Sequence, residues 1–351
     1  MKNINASIDV GFGFVLGKSN TKEIKTSSYI TKLDKDFVKI ATEYIEELSE
    51  DKIIVEYENE FYALGDIVLQ MDSSATRYLS NNRFEDISHT VQMISALGLL
   101  SEENNFQCNL ALGLPNRLRH MKSKLSNNTK GNYKIKYITK NSTIEKNITI
   151  QNVITTEQPL SAIFTLNPNS IGDFTILSID CGQFTCDGYV LSHLIPSSNP
   201  KDYLCCDGVF RVYNDIEKLI LDKYRDEYSM YQVDENIIKD VLELGILKFR
   251  NQQLDVNDSI TKVALRNYAQ YILHQIENVY NRILPTLDVI IISGGISINH
   301  YFINYLSELL KPYKVNFRIP QSSDRAVVNG LFNIVNRQYK IEKGDVNESK
   351  R

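Results

Sequence analysis

Residues 4–17 and 24–31 mix apolar and β-branched residues with polar ones in the manner of strands that have one buried face. The charged stretch Asp34 to Lys52 changes period: Phe37, Ile40, Ala41, Tyr44, Ile45 and Leu48 fall at helical spacing. Ile53–Tyr57 and Glu60–Gly65 then read as a hairpin turning at Glu58-Asn59. A helix is expected over 84–100, ending at Gly98 or soon after, followed by a buried strand at 106–113 and half-exposed strands at 132–138 and 143–154. The second half opens with a helical pattern from Gln158 to Leu166, a turn at 167–170 and a strand at 174–180. Helices are expected at 208–224 and at 235–244, the latter capped by Gly245. A long amphipathic helix at 259–283 runs into Pro285 and a strand at 287–292, and a last helix covers 324–336 before a polar, frayed tail from Lys343 to Arg351. Strands and helices interleaved in two similar halves predict α/β sheets with helices on their faces.

One short pattern occurs twice. Ile8-Asp9-Val10-Gly11-Phe12-Gly13 and Ile179-Asp180-Cys181-Gly182-Gln183-Phe184 lie 171 residues apart, about half of the 351-residue chain. Each stands between apolar runs and reads as the tight turn of a hairpin. A second echo follows each turn: Leu112-Gly113-Leu114-Pro115 lies 102 residues beyond Gly11, counted to Gly113, and Ile291-Ile292-Ser293-Gly294-Gly295 lies 112 beyond Gly182, counted to Gly294. A single Asp-x-Gly is common turn chemistry. Two at matched positions, each with its later glycine strand end, predict a duplicated two-domain protein with a ligand held between the domains.

Composition narrows the function. A net charge of −4 gives no basic footprint, so direct binding to nucleic acid is not expected. Apolar runs fall short of the roughly 20 residues a membrane helix needs, so no membrane partner is expected. The five cysteines, Cys108, Cys181, Cys186, Cys205 and Cys206, are an odd number with no secretory signal, which argues for reduced thiols and a cytoplasmic protein. The vicinal Cys205-Cys206 lacks a nearby His or second thiol pair to complete a metal site, and the five histidines are scattered.

Glycine-rich hairpin turns let backbone N–H groups approach an anion closely, so two of them suit a polyphosphate. Asp9 and Asp180 open the turns, where two carboxylates can hold a hydrated Mg²⁺ beside the phosphates.

These motifs, in this order, resemble the first phosphate, second phosphate and adenosine motifs of the actin, sugar kinase and Hsp70 ATPase superfamily. Gly113-Leu114-Pro115, Glu157-Gln158-Pro159 and Val328-Asn329-Gly330 resemble features of its bacterial plasmid-segregation branch, the ParM or StbA-like actins. The resemblance spans essentially the whole chain. It implies an α/β, duplicated actin-like (ribonuclease H-like) two-domain fold with a nucleotide cleft between the domains. Domain I would be 1–157 plus 322–351, and domain II 158–321. It further implies that Asp9, Gly11, Phe12 and Gly13 face the phosphates from one side and Asp180, Gly182, Gln183, Phe184 and Thr185 from the other. The metal would be Mg²⁺ at Asp9 and Asp180, and the base of ATP or GTP would lie near Gly294 and Gly295. Glu157 or Gln158 would orient the attacking water, with a helix-start carboxylate as the other reading of Glu157. Gly208 matches a glycine near the nucleotide, or is a loop glycine.

Two departures stand out. Leu16 occupies the place where many relatives carry a phosphate-binding lysine, and Lys18, on the same strand face, is the candidate substitute. Gln183 and Phe184 replace smaller residues in the second turn, which predicts slow hydrolysis or an unusual nucleotide preference. The function expected is a filament-forming NTPase that polymerises with itself and segregates plasmid DNA through a DNA-binding adaptor on a centromere-like site. The alternatives are a small-molecule kinase of the same superfamily and a cell-shape or division actin homologue with little turnover.

Overall fold

The computed structural model of the chain describes residues 1–71, 83–167, 171–193, 195–197, 199, 203–228, 232–249 and 251–340. The turn expected at 167–170 falls largely, and the polar tail wholly, outside the described residues. Two compact units divide the chain: Met1–Leu114 with Leu118–Glu157 and Val328–Arg351, and Pro115–Arg117 with Gln158–Val327.

The first unit contains β1 (Lys2–Val10), β2 (Phe14–Ser19), β3 (Glu23–Ser27), β4 (Ile30–Leu33), α1 (Lys35–Thr42), β5 (Ile53–Tyr57), β6 (Glu60–Leu64), α2 (Ile67–Met71), α3 (Ile87–Leu99), β7 (Asn105–Leu114), α4 (Lys122–Thr129), β8 (Gly131–Ile138) and β9 (Thr143–Glu157). Its strands form one sheet in the order β3-β2-β1-β7-β9-β8-β5-β6-β4. β1 is antiparallel to β2 and parallel to β7, which is parallel to β9. Alternation along β1 sorts its residues between two faces. Ile4, Ala6, Ile8 and Val10 join a core with Val91, Ile94 and Leu97 of α3. On the other face, Ser7 Oγ donates to the Val328 carbonyl (2.8 Å) and Asn5 Nδ2 to Asn336 Oδ1 (2.8 Å), so the last helix covers the face that carries Asp9. Gly98 of α3 leaves room for the buried Tyr137, whose hydroxyl would lie 2.1 Å from a Cβ there and donates to the Ser95 carbonyl.

The second unit contains α5 (Gln158–Ile163), β10 (Thr175–Cys181), β11 (Thr185–Ser192), β12 (Ile195–Pro196), β13 (Leu204–Asp207), α6 (Phe210–Tyr228), α7 (Glu235–Leu244), β14 (Ile246–Phe249), β15 (Gln252–Asp255), α8 (Lys262–Tyr280), β16 (Val289–Ser293), α9 (His300–Leu310) and β17 (Asn316–Arg318). The final helix, α10 (Ala326–Gln338), begins in this unit and returns to the first. The sheet runs β12-β11-β10-β16-β17, with β13 also on β11. Leu177, Ile179, Ile290 and Ile292 pack with α6, α8 and α9. Ile176, Tyr189, Val289 and Ile291 pack on the opposite face with Leu160 and Ile163 of α5. The sheet of each unit thus begins with a hairpin whose first strand runs parallel to a later one, which in turn is parallel to another.

The helix expected over Asp34 to Lys52 is shorter than its pattern. α1 ends at Thr42, whose hydroxyl donates back to the Val38 carbonyl (2.9 Å), and the Ile45 carbonyl accepts from the Lys140 N–H (2.8 Å). Farther on, the Asp51 carbonyl accepts from Ile67 N–H and Glu50 Oε2 from Lys25 N–H. The bonds to the Ile45 and Asp51 carbonyls claim peptide groups that a longer helix would use internally. Elsewhere the predicted turns hold: Glu58 and Asn59 both have positive φ (52° and 65°), and Gly245 caps α7 at φ 69°.

Candidate functional site

The first glycine turn joins β1 to β2. Gly11 N–H donates to the Phe14 carbonyl (2.9 Å), and a Cβ on Gly11 would lie 2.7 Å from that oxygen, so this position requires glycine. Ser28 clamps the turn: its hydroxyl donates to the Gly11 carbonyl (2.7 Å) and its N–H to the Gly13 carbonyl (3.0 Å). In a trans peptide the N–H points opposite to the C=O, so the N–H of Phe12 is directed away from Ser28. Asp9 is buried, directly across from Leu16 in the ladder. Lys18 stands two pairs farther from the turn, opposite Ser7, and its Nζ donates to Glu23 Oε1 (2.6 Å) and Asn329 Oδ1 (2.8 Å). Glu157 ends β9, two strands from Asp9 and at the same, C-terminal end of the parallel strands β1, β7 and β9. That is the end at which α/β sheets bind ligands. Its carboxylate is buried and accepts from Lys122 Nζ (3.1 Å). Gln158, also buried, starts α5 in the second unit.

The second turn is built alike. Gly182 N–H donates to the Thr185 carbonyl (2.9 Å). The start of α6 does here what Ser28 does in the first unit: Val209 N–H donates to the Gly182 carbonyl (3.0 Å), Phe210 N–H to Gln183 (2.7 Å) and Gly208 N–H to Phe184 (3.1 Å). The N–H groups of Gln183 and Phe184 therefore point away from α6. Gly208 passes so close that a Cβ would meet the Gly182 carbonyl at 2.4 Å and Thr185 N at 2.6 Å, which makes it a requirement of the turn. Phe184 and Phe210 stack at 4.9 Å between centroids. Asp180 is buried at the C-terminal end of β10 beside Ser293 of β16, whose hydroxyl donates to Asp180 Oδ1 (2.9 Å). Gly294 follows, with φ 92° and a would-be Cβ 2.2 Å from the Cys181 carbonyl, while Gly295 faces open space. Gly294 is anchored by its N–H to the Ser323 carbonyl (3.0 Å). Asp180, Gly182–Thr185, Gly208 and Gly294 are thus gathered at one end of the second sheet, and Asp9, Gly11–Gly13 and Glu157 at the corresponding end of the first.

Several residues of this second cluster had no sequence signal. Asp187 lies directly across from Asp180, is 2% exposed, and accepts from the Thr185 hydroxyl (2.9 Å). Burial raises its carboxyl to about 6, against the lowering effects of Thr185, Cys205 and Arg117. Asn116 donates to the carbonyls of Gly188 (2.7 Å) and Leu204 (3.3 Å). Asn116 and Asp187 are separated by about seventy positions in sequence, and only the fold unites them.

Asp9 and Asp180 are each a buried carboxylate at the head of a turn, the kind of oxygen donor a hydrated Mg²⁺ takes. Among the described residues no group of three or more His, Cys, Asp or Glu could hold a metal ion by itself, so such an ion would take most of its ligands from phosphate and water.

Residues 7–160 match the family model of the actin like proteins N terminal domain. No curated protein matches the sequence. Among solved structures, the chain is similar to the actin-like protein Alp7A, with 16% identity, a TM-score of 0.74 and coverage of 96% of this chain and 97% of that one. It is similar to the ParM of a 15-stranded filament from Clostridium botulinum, with 21% identity, a TM-score of 0.74 and coverage of 97% and 100%. It is similar too to Ta0583, an archaeal actin homolog, in complex with ADP, with 14% identity, a TM-score of 0.74 and coverage of 95% and 99%. The chain has the duplicated actin-like α/β fold. Within that class its neighbours include the ParM and Alp7A proteins, as its motifs imply. No helix among the described residues is long and apolar enough to cross a membrane.

Proposed function

We propose that the chain is a nucleotide-dependent, filament-forming actin-like NTPase that moves plasmid DNA through an adaptor. The observation that carries this reading is the pair of glycine turns with the same construction, each headed by a buried aspartate and each with its carbonyls held inward. Turns built this way present N–H dipoles to an anion, and a nucleoside triphosphate supplies one of the right length and charge. Asp9 and Asp180 would be the carboxylates to hold hydrated Mg²⁺, which when bound would neutralise phosphate charge. Glu157, held by Lys122, or Gln158 orients the attacking water. Gly294, fixed at positive φ against the Cys181 backbone, sets the strand end, and Gly295, open to space, leaves room for the nucleoside. ParM and Alp12 are known as filaments, and Ta0583 in complex with ADP; both support nucleotide-gated self-association here.

The test is right-angle light scattering with negative-stain microscopy on the purified chain, with Mg²⁺ and ATP, GTP or a non-hydrolysable analogue, beside Asp180→Ala. Filaments that need nucleotide are expected, and the variant should melt as a folded protein yet fail to assemble. Nucleotide binding with no filaments over a broad concentration range, and hydrolysis only when a small-molecule acceptor is added, would replace this reading with a soluble kinase.

A further inference from the structure

Three of the five cysteines form a row across neighbouring strands directly below the second turn. Cys181 of β10 pairs with Cys186 of β11, and Cys186 pairs with Cys206 of β13. All three belong to the sheet face that packs against α6 and α8. The Cys181 and Cys186 sulfurs are 3.3 Å apart. The Gly182–Thr185 bond closes the turn, so the next pair, Cys181–Cys186, is a non-hydrogen-bonded one with Cα atoms about 4.5 Å apart, inside the range a disulfide spans. Cys181 and Cys186 are fully buried, whereas Cys206 is partly exposed. Cys205 alternates to the other face, toward Asp187, where desolvation and that carboxylate push its thiol up to about 12 and suppress its reactivity. Hydrogen bonds with Cys181 and Cys206, together with burial, raise the Cys186 thiol and keep it from peroxide in solution, so it reacts only with the sulfurs paired beside it.

We propose that Cys206, Cys186 and Cys181 are a thiol relay that stores a two-electron oxidation as a Cys181–Cys186 disulfide across the base of the Gly182-Gln183-Phe184 turn. The oxidant is hydrogen peroxide. The Cys206 thiolate attacks one peroxide oxygen, giving the sulfenic acid and hydroxide, which takes up the proton Cys206 released and leaves as water. The Cys186 thiol attacks the sulfenic sulfur, expelling a second water and forming the Cys186–Cys206 disulfide. Cys181 then attacks the Cys186 sulfur, and its proton passes to the departing Cys206 thiolate. Two thiols lose two electrons in all, and one peroxide becomes two waters. A bond at this place clips the ends of the turn together and fixes Cys181, whose carbonyl abuts Gly294. On the nucleotide reading given above, the oxidised chain should bind nucleotide more weakly, by about fivefold.

Tryptic mapping of the folded, full-length chain after peroxide treatment and alkylation decides the matter. Cys181 and Cys186 share the peptide 147–201, while Cys205 and Cys206 share 202–211. The expected product is peptide 147–201 lacking two hydrogens. Cys206→Ser should slow its formation about tenfold by removing the one partly exposed thiol of the row. Cys205→Ser should leave the rate unchanged, and Cys181→Ser should trap 147–201 linked to 202–211. Oxidation confined to 202–211, links between chains only, or an undiminished rate in Cys206→Ser would each overturn the relay. Nucleotide affinity is measured separately before and after reduction by dithiothreitol. If the disulfide forms and affinity does not change, its control of the turn is overturned; if neither redox form binds nucleotide, the nucleotide reading fails and the disulfide map stands.

Discussion

At the scale of single residues, Asp187 carries the sharpest energetic consequence. Its carboxyl is raised from 3.8 to about 6 by burial, so protonation is favoured in the folded chain relative to the unfolded one. For a group raised in this way the stabilisation is fully present below the unfolded value and is lost as pH climbs through the folded value. The wild type should therefore lose about 2 kcal/mol from this group between pH 4.5 and 7.5. Asp187→Asn keeps an acceptor for the Thr185 hydroxyl and removes the titration. Urea unfolding of both chains at the two pH values should show the variant gaining on the wild type by that amount at pH 7.5; equal slopes would mean that the carboxylate is better solvated than its 2% exposure indicates. Residues of this kind explain which parts of the candidate site were legible. Asp9, Gly11, Asp180, Gly182 and Gly294 announce themselves because a turn or a close approach restricts the residue type locally. Ser28, Asn116, Asp187 and Ser293 are serines, an asparagine and an aspartate like many others in the chain, and they acquire meaning only from neighbours far away in sequence.

At the scale of elements, period alone found most helices and strands but did not say which side of α1 is inside. Of its counted apolar positions, Phe37, Ile40 and Tyr44 are 45%, 55% and 71% exposed, while Ala41 and Ile45 are buried, together with Val38, against Ile54, Ala63 and Ile67. Two apolar stripes on one short helix cannot both face the sheet, and the pattern does not say which will. The stability consequence separates them. Ile45→Ala should cost about 2–4 kcal/mol through lost burial and a cavity. Ile40→Lys, at an exposed position, should stay within about 0.5 kcal/mol of the wild type. Matching losses in chemical denaturation would contradict the burial of Ile45. α9 has no counterpart among the predicted elements although Asn299 caps it through bonds to the N–H groups of Tyr301 and Phe302. Its apolar residues Phe302, Leu306 and Leu310 are helically spaced, but Tyr301, Ile303, Tyr305 and Leu309 also pack against the core, and this blurs the period. The short strands β12, β13 and β17 owe their conformation to the edges they join, which no local pattern encodes.

At the scale of the whole molecule, duplication was the most legible property, because the turns that mark it are constrained in type and their order repeats. Charge decides what such a molecule can hold. With a net charge of −4, each copy is repelled by DNA phosphates beyond contact distance, and the proposed assembly would multiply that charge along a filament. Binding to DNA draws its strength from counterions released by lysines and arginines, a term that requires a basic surface. The chain alone should therefore leave a labelled plasmid fragment unshifted in gel electrophoresis at about 150 mM salt, where screening confines charge effects to about 8 Å, both as monomer and as filament. A basic DNA-binding protein added to the same mixture should bring filament and DNA together. The like charge of the subunits has a second effect, since their mutual repulsion opposes assembly most strongly when it is least screened. Raising salt from about 10 to about 100 mM shortens the Debye length from about 30 to about 10 Å and should lower the critical concentration for assembly. DNA retarded by the chain alone, with an affinity that falls steeply as salt rises, would point to a basic surface that the overall charge conceals and would remove the need for an adaptor.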